Sequence, residues 1–259
     1  MGVTNFSEVD SANGYKVNGV PTSHYNYFYE DFKVDPVTSK VAGGAATGTA
    51  GDLNVMGFER NIIRYSPKGT QTILAPVLSS LGLNINMDQT DNDGVELWGS
   101  SAAITRARSA FTVGTSENFF FSVKFSIADV SGTDDCAIGF RRVQAQQANF
   151  DDYTDAAVLN VISGDITIET ILNNAATVVT DTTQNWADAE TYTLTVKVSK
   201  NGVVTYEING VVPTVTAAFT FDNGDVIVPV LFFLNAADVA DAVNLLTAEC
   251  GAQEFRAIV

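Results

Sequence analysis

Histidine occurs once, at His24, and cysteine twice, at Cys136 and Cys250. A single histidine excludes the multi-histidine metal sites. Two cysteines in 259 residues do not make a disulfide framework. They leave one bridge or two buried thiols, and two free thiols is the expectation. Basic residues are scarce, 14 Lys and Arg against 30 Asp and Glu, for a net charge of −16. That balance disfavours a phosphate backbone as partner, which needs clustered Lys and Arg. No apolar run approaches the roughly 20 residues of a membrane-spanning helix, so no membrane role is expected. The opening MGVTNFSEVD is polar and acidic, so no cleaved secretory leader is expected either. Helical periodicity is nearly absent, with one short turn conceivable over Ala236 to Ala242. There is no P-loop and no Gly-x-Gly-x-x-Gly before a helix. No serine sits in the strand–turn–helix elbow that would give His24 a role in a triad, so His24 reads as a surface or contact residue.

What the chain has is alternation. In ETYTLTVKVSKNGVVTYEING, Tyr192, Leu194, Val196 and Val198 share one parity while Thr191, Thr193, Thr195 and Lys197 share the other. Asn201-Gly202 between two such runs signals a hairpin. A two-residue loop would oppose Val198 to Thr205 and mix the faces. A three-residue loop, Lys200-Asn201-Gly202, opposes Val198 to Val204, Val196 to Tyr206 and Leu194 to Ile208. The expectation is therefore a type I turn with Gly202 left-handed in a bulge.

Elsewhere the same pattern predicts strands at Thr72 to Val77, Leu81 to Met87, Val95 to Trp98, Phe119 to Ile127 and Cys136 to Val143. It continues through Ala156 to Ile162, Ile166 to Leu172, Thr177 to Val179, Phe219 to Phe221, Val226 to Leu234 and Val243 to Cys250. Pro229 cannot donate to a ladder, so Val226 to Leu234 is expected at an edge or with a bulge. Many short strands at regular spacing imply an all-β fold, an antiparallel β-sandwich. Residues 1–35 read as an arm plus a first strand, 36–56 as a Gly/Ala-rich contact loop, and 57–259 as the sandwich.

Chemistry is thin along the chain. Glu8-x-Asp10 begins a Glu-x-Asp-x-x-Glu glucanase strand, but Asn13 stands where the last acid belongs. Glu169 and Glu207 are isolated acids in strands, read as solvated and outward-facing. Acidic loops at Asp134-Asp135, at Asp151, Asp152 and Asp155, and at Asp222 with Asp225 suit calcium in ligand type but not in EF-hand spacing. Asp151, Asp152 and Asp155 are the best of these, and no other cofactor is indicated. Tyr153, Trp186 and Trp98 are the aromatics that could stack on sugars from loops, with a buried core position as the commoner fate.

From Phe119 onward, ENFFFSVKFSIADVSGTDDCAIGFR, FDDYTDAAVLNV, GDITIETILNN, the Tyr192–Ile208 hairpin and FDNGDVIVPVLFFL resemble concanavalin A-like and laminin-G-like jelly-roll domains. They resemble especially those of tailed-bacteriophage virion proteins, and NGYKVNGVP resembles the N-terminal arms of such proteins. The resemblance implies a non-enzymatic capsid decoration protein, made in the host cytoplasm and carried on the virion. Its implied partners are the major capsid protein, other virion proteins and further copies of itself, as a trimer or another oligomer. Contacts would run through the arm, at Tyr15, Val17, Val20 and His24. The competing expectation is a carbohydrate-binding, lectin-like module, or a tail or fibre component, with Tyr153 and Trp186 as the sugar contacts.

Overall fold

A computed structural model describes residues 6–10, 14–17, 20–21, 28–33, 37–40, 54–57, 62–69, 74–87, 90–98, 110–236 and 243–252. Among the described residues there are twenty strands, numbered in chain order, and two 3-10 turns. The chain is all-β, with two antiparallel sheets facing each other as a sandwich.

The smaller sheet carries β18 (Val204–Ile208), β17 (Thr191–Val198), β12 (Phe119–Ile127), β20 (Val243–Ala252), β9 (Gly82–Met87) and β8 (Leu74–Ser79), with β4 (Phe28–Glu30) also paired to β20. The larger sheet runs β16 (Val178–Asn185), β15 (Asp165–Ile171), β14 (Ala156–Ile162), β13 (Thr133–Arg142), β19 (Val226–Asn235), β10 (Gly94–Leu97), β7 (Ile62–Lys68), β6 (Asn54–Gly57) and β5 (Val37–Lys40). A short β11 (Phe111–Thr112) pairs with β19 as well. A separate meander of β1 (Phe6–Asp10), β2 (Gly14–Val17) and β3 (Val20–Pro21) is hydrogen-bonded to neither sheet among the described residues.

The core lies between the sheets and follows the parity of the sequence. Phe119, Phe121, Val123, Phe125 and Ile127 face inward from β12 and meet Ile138, Phe140, Leu159, Leu231 and Phe233 of the large sheet. Aromatic rings form its centre. Phe111 stacks on Phe119 at 4.1 Å, and Phe140 meets Phe119 edge-on at 5.2 Å. Cys136 and Cys250 are buried in this core as two thiols and not as a disulfide.

The β17–β18 hairpin takes the three-residue register. Val198 pairs with Val204, Val196 with Tyr206 and Leu194 with Ile208, and Gly202 has φ +86°. The opposite result holds for Val226–Asn235. This strand is central, with β13 along one side and β10 and β11 along the other. The proline is tolerated because the partner on that second side changes there. Described pairs stop at Ile227 and resume at Leu231, leaving the missing N–H of Pro229 where no ladder bond is made.

Other expectations shift. Val37–Lys40 and Asn54–Gly57, at the two ends of the Gly/Ala-rich stretch, pair with each other as strands of the large sheet. The first strand expected within residues 1–35 is present, as Phe28–Glu30 on the small sheet. Phe219 to Phe221 is not a ladder strand; a single bridge joins Thr220 to Val203. Ile62–Lys68 and the polar half of Val178–Asn185 are strands that periodicity did not predict. The conceivable helical turn at 237–242, and His24, lie outside the described residues.

Candidate functional site

The outer face of the large sheet is not open to solvent along its length. β13 and β14 pair as neighbours down to Arg141 opposite Ala156. The connection between them, 143–155, folds back over the sheet as a strap instead of closing a tight hairpin. Phe150 and Tyr153 of the strap pack edge-on against Phe232 at 5.8 and 6.3 Å. With Ala137, Val158, Ile171, Val230 and Leu234 they form a second, smaller apolar cluster.

Beneath the strap lies a buried ionic network. Glu96 of β10 accepts from Arg141 Nε and Nη2 of β13 on Oε1, at 2.8 and 2.6 Å. Its Oε2 accepts from Lys68 Nζ of β7 at 2.8 Å and from the Tyr153 hydroxyl at 2.6 Å. The Arg141 guanidinium also lies over the Tyr153 ring at 4.5 Å. Burial alone would raise the Glu96 carboxyl, but Arg141, Lys68 and the Tyr153 hydrogen bond together hold it below the ordinary range. Burial lowers Lys68, with Glu96 pulling the other way.

Beside the strap the sheet surface opens into a cleft of about 650 Å³. Asp134, Asp135 and Glu169 line it from the sheet, Asn149, Asp151 and Asp152 from the strap, and Thr177 from the β15–β16 connection. Ile162, Ala176 and Val179 are its apolar lining residues. Asn160, from β14 between the strands that carry Asp135 and Glu169, donates Nδ2 to Asp135 Oδ1 at 2.6 Å and accepts from the Cys136 N–H at 2.8 Å. Burial raises both acids to about 7. The neighbouring charges of Asp134 and Asp151 add to this, while hydrogen bonds from Asn160 oppose it. Glu169 is thus not the isolated, solvated acid that its sequence context suggested. It is buried, and it shares a cleft with Asp135. Glu207 is partnered too, by Lys197 across the β17–β18 pair.

The expected calcium ligands divide. Asp151 and Asp152 face the cleft, and Asp151 Oδ1 accepts from Thr177 Oγ1 at 2.5 Å. Asp155 is buried, accepting from the Asn173 N–H at 2.8 Å and pairing with Arg142 at 3.3 Å. Among the described residues no group of three or more His, Cys, Asp or Glu side chains has the geometry to hold a metal ion. Asp222 and Asp225 occupy another turn, where Asp225 caps the Asp222 N–H and pairs with Arg142.

The two expected sugar-stacking rings face inward. Tyr153 points from the strap onto the sheet and is fully buried. Trp186 packs on Phe125 and Tyr192 at the end of the main core, with Nε1 donating to the Glu190 carbonyl. Neither ring has a face open to a ligand. Trp98 stacks on Phe28 and meets Phe121. In the meander, Tyr15 and Val17 lie in β2 and Val20 in β3.

No protein-family model matches the chain, and no curated protein matches it. Solved structures similar to it include the carbohydrate recognition domain of Emp46p, with 9% identity, 73% of this chain and 88% of that one covered, and a TM-score of 0.49. That of Emp47p has 15% identity, the same coverage and a TM-score of 0.48. A protein of unknown function from Shewanella oneidensis covers 90% of this chain and 89% of its own, with 14% identity and a TM-score of 0.47. What these three share with this chain is the fold, the antiparallel jelly-roll sandwich.

Proposed function

We propose that this chain is a lectin-like module that binds neutral glycans in the acidic cleft, without catalysis. One observation carries the reading. The cleft combines carboxylate, amide and hydroxyl groups with the apolar side chains of Ile162, Ala176 and Val179. A sugar needs that pairing, because its hydroxyls donate to acceptors while its C–H face packs on apolar surface. The size falls within the range of roughly 300–1,000 Å³ usual for small-molecule sites. Among the described residues no basic side chain lines the cleft, so phosphate-bearing or sialylated ligands would meet repulsion. Carbohydrate recognition is also the role named for Emp46p and Emp47p, but the reading rests on the cleft and not on them.

The test is titration with a panel of neutral and sialylated oligosaccharides, followed by calorimetry or protein NMR. Neutral sugars should bind, and Asn149→Ala and Asp151→Ala should weaken them at least tenfold, about 1.4 kcal/mol. No binding by any neutral sugar overturns the reading. Release of reducing ends, lost in Glu169→Gln, would replace binding with hydrolysis.

A specific observation favours a second reading, capsid decoration. The 6–21 meander pairs with neither sandwich sheet among the described residues, as a segment that grips a neighbour would. Removing residues 1–25 should then abolish binding to shells while the sandwich still folds. Undiminished binding by the truncated chain sinks that reading.

A further inference from the structure

We propose that Lys68, Glu96 and Tyr153 are positioning residues for the cleft: their buried network fixes the 143–155 strap, and with it the wall carrying Asn149, Asp151 and Asp152. The argument starts from the backbone of Gln147. Its carbonyl accepts from Lys68 Nζ at 2.7 Å, and its N–H donates to the Tyr153 hydroxyl at 3.3 Å. The same hydroxyl donates to Glu96, and the same lysine pairs with Glu96. Both polar backbone groups of one strap residue are therefore tied to a single carboxylate, two residues before the cleft wall begins at Asn149.

The strap's other ties lie near its two ends and at Asp151. The Val143 N–H donates to the Val226 carbonyl, the Asn174 N–H to the Thr154 carbonyl and the Asn173 N–H to Asp155, which also pairs with Arg142. Gln144 Oε1 accepts from the Thr154 N–H and hydroxyl, and Asp151 accepts from Thr177. An ordinary connection between paired antiparallel strands needs about two to five residues. This one is far longer, so the network and the two rings on Phe232 must hold it down.

Burying Lys68, Glu96 and Arg141 together is a poor route to stability, since apolar residues of similar volume would often serve as well or better. Such a network suits the selection of one geometry. Here the geometry selected is the separation between the strap carboxylates and the sheet carboxylates Asp135 and Glu169. No cation stands between these two sets among the residues lining the cleft, so their mutual repulsion pushes the strap away. The network on the other side of Gln147 opposes that push.

The test uses the full chain without ligand, so its outcome is independent of whether any glycan binds. Tyr153→Phe removes the hydroxyl and keeps the ring, and Lys68→Met removes the second tie. Two readouts are followed: amide hydrogen exchange across 146–152, and the carboxyl titrations of Asp135 and Glu169 by carbon-13 NMR. Exchange in the strap should rise about tenfold in Tyr153→Phe, the worth of one net hydrogen bond, with the amides of β12 and β17 unchanged. The Glu169 midpoint should move down toward the ordinary carboxylate range as Asp151 withdraws and water enters. Ile208→Val, far off in the hairpin, is the control for general loosening and should alter neither readout. Unchanged strap exchange and unchanged midpoints in both network variants would show that ring packing alone holds the strap, and would overturn the proposal. Equal effects from Ile208→Val would overturn it as well.

Discussion

Arg141 and Glu96 meet twice on one oxygen: Nε and Nη2 both donate to Oε1, and both side chains are fully excluded from solvent. They come from strands separated by β19 and reach each other across its outer face. Removing one member of such a pair costs far more than the pair contributes, because the remaining charge stays buried. Glu96→Gln leaves Arg141 and Lys68 facing each other without an anion. Unfolding by urea should show a loss of about 3–5 kcal/mol. Glu207→Gln, which breaks the partly exposed pair with Lys197, should cost less than about 1 kcal/mol. Similar losses in the two variants would contradict the difference in burial.

The cleft acids set a pH dependence whose sign follows from their raised values. Asp135 and Glu169 rise from ordinary values of 3.8 and 4.5 to about 7 in the folded chain. Between these limits the folded state binds more protons than the unfolded one. Their contribution is complete below the unfolded values and is lost as pH rises through about 7. The melting temperature should therefore fall between about pH 5 and about pH 8, and fall less in an Asp135→Asn, Glu169→Gln double variant. Glu96, whose value is lowered, loses its contribution only at pH below this window, and the comparison between the two proteins separates the cleft acids from the other raised carboxyls, Asp134 and Asp225. Parallel curves would mean that these acids do not titrate in the window.

The sandwich was legible because its inner face is apolar strand after strand: the parity of Phe119 to Ile127 and the hairpin register at Val198 and Val204 follow from alternation alone. The site was not. Lys68, Glu96 and Arg141 are far apart in sequence, and each alone reads as a surface charge; Tyr153 alone reads as a loop aromatic, with nothing in the sequence to join it to them. Only the strap makes them interior, and a long connection between paired strands leaves no periodic signal. Glu169 was misread for the same reason. Its alternation correctly put it on the outer face, but that face is covered. Thr180 to Asn185 was missed because β16 is an edge strand with little apolar burial to mark its parity.

The two thiols give an independent check on the core. Cys136 and Cys250 are buried thiols, not a disulfide, and have no solvent exposure. A thiol reagent should react slowly with the native chain and reach both cysteines after denaturation, with or without prior reduction. Rapid reaction in the native state would mean that the layers are open at β13 or β20. Loss of the signal without reductant would mean a bridge.

Gly202 and Gly210 separate two costs that are usually mixed. Both have left-handed backbones, with φ of +86° and +79°. A Cβ on Gly202 would lie 2.4 Å from the Phe221 carbonyl oxygen, whereas one on Gly210 would meet nothing within 4 Å. Gly210→Ala therefore bears the conformational cost alone, on the order of 1 kcal/mol. Gly202→Ala bears that cost and must also displace Phe221, whose N–H donates to the Gly202 carbonyl at 3.0 Å. That displacement breaks the seam joining the hairpin to the 219–221 segment, so its total should reach about 2–4 kcal/mol. Thermal unfolding of the two variants beside the parent gives the difference directly. Equal losses would mean that the segment yields freely and that the bulged turn is held by its register alone.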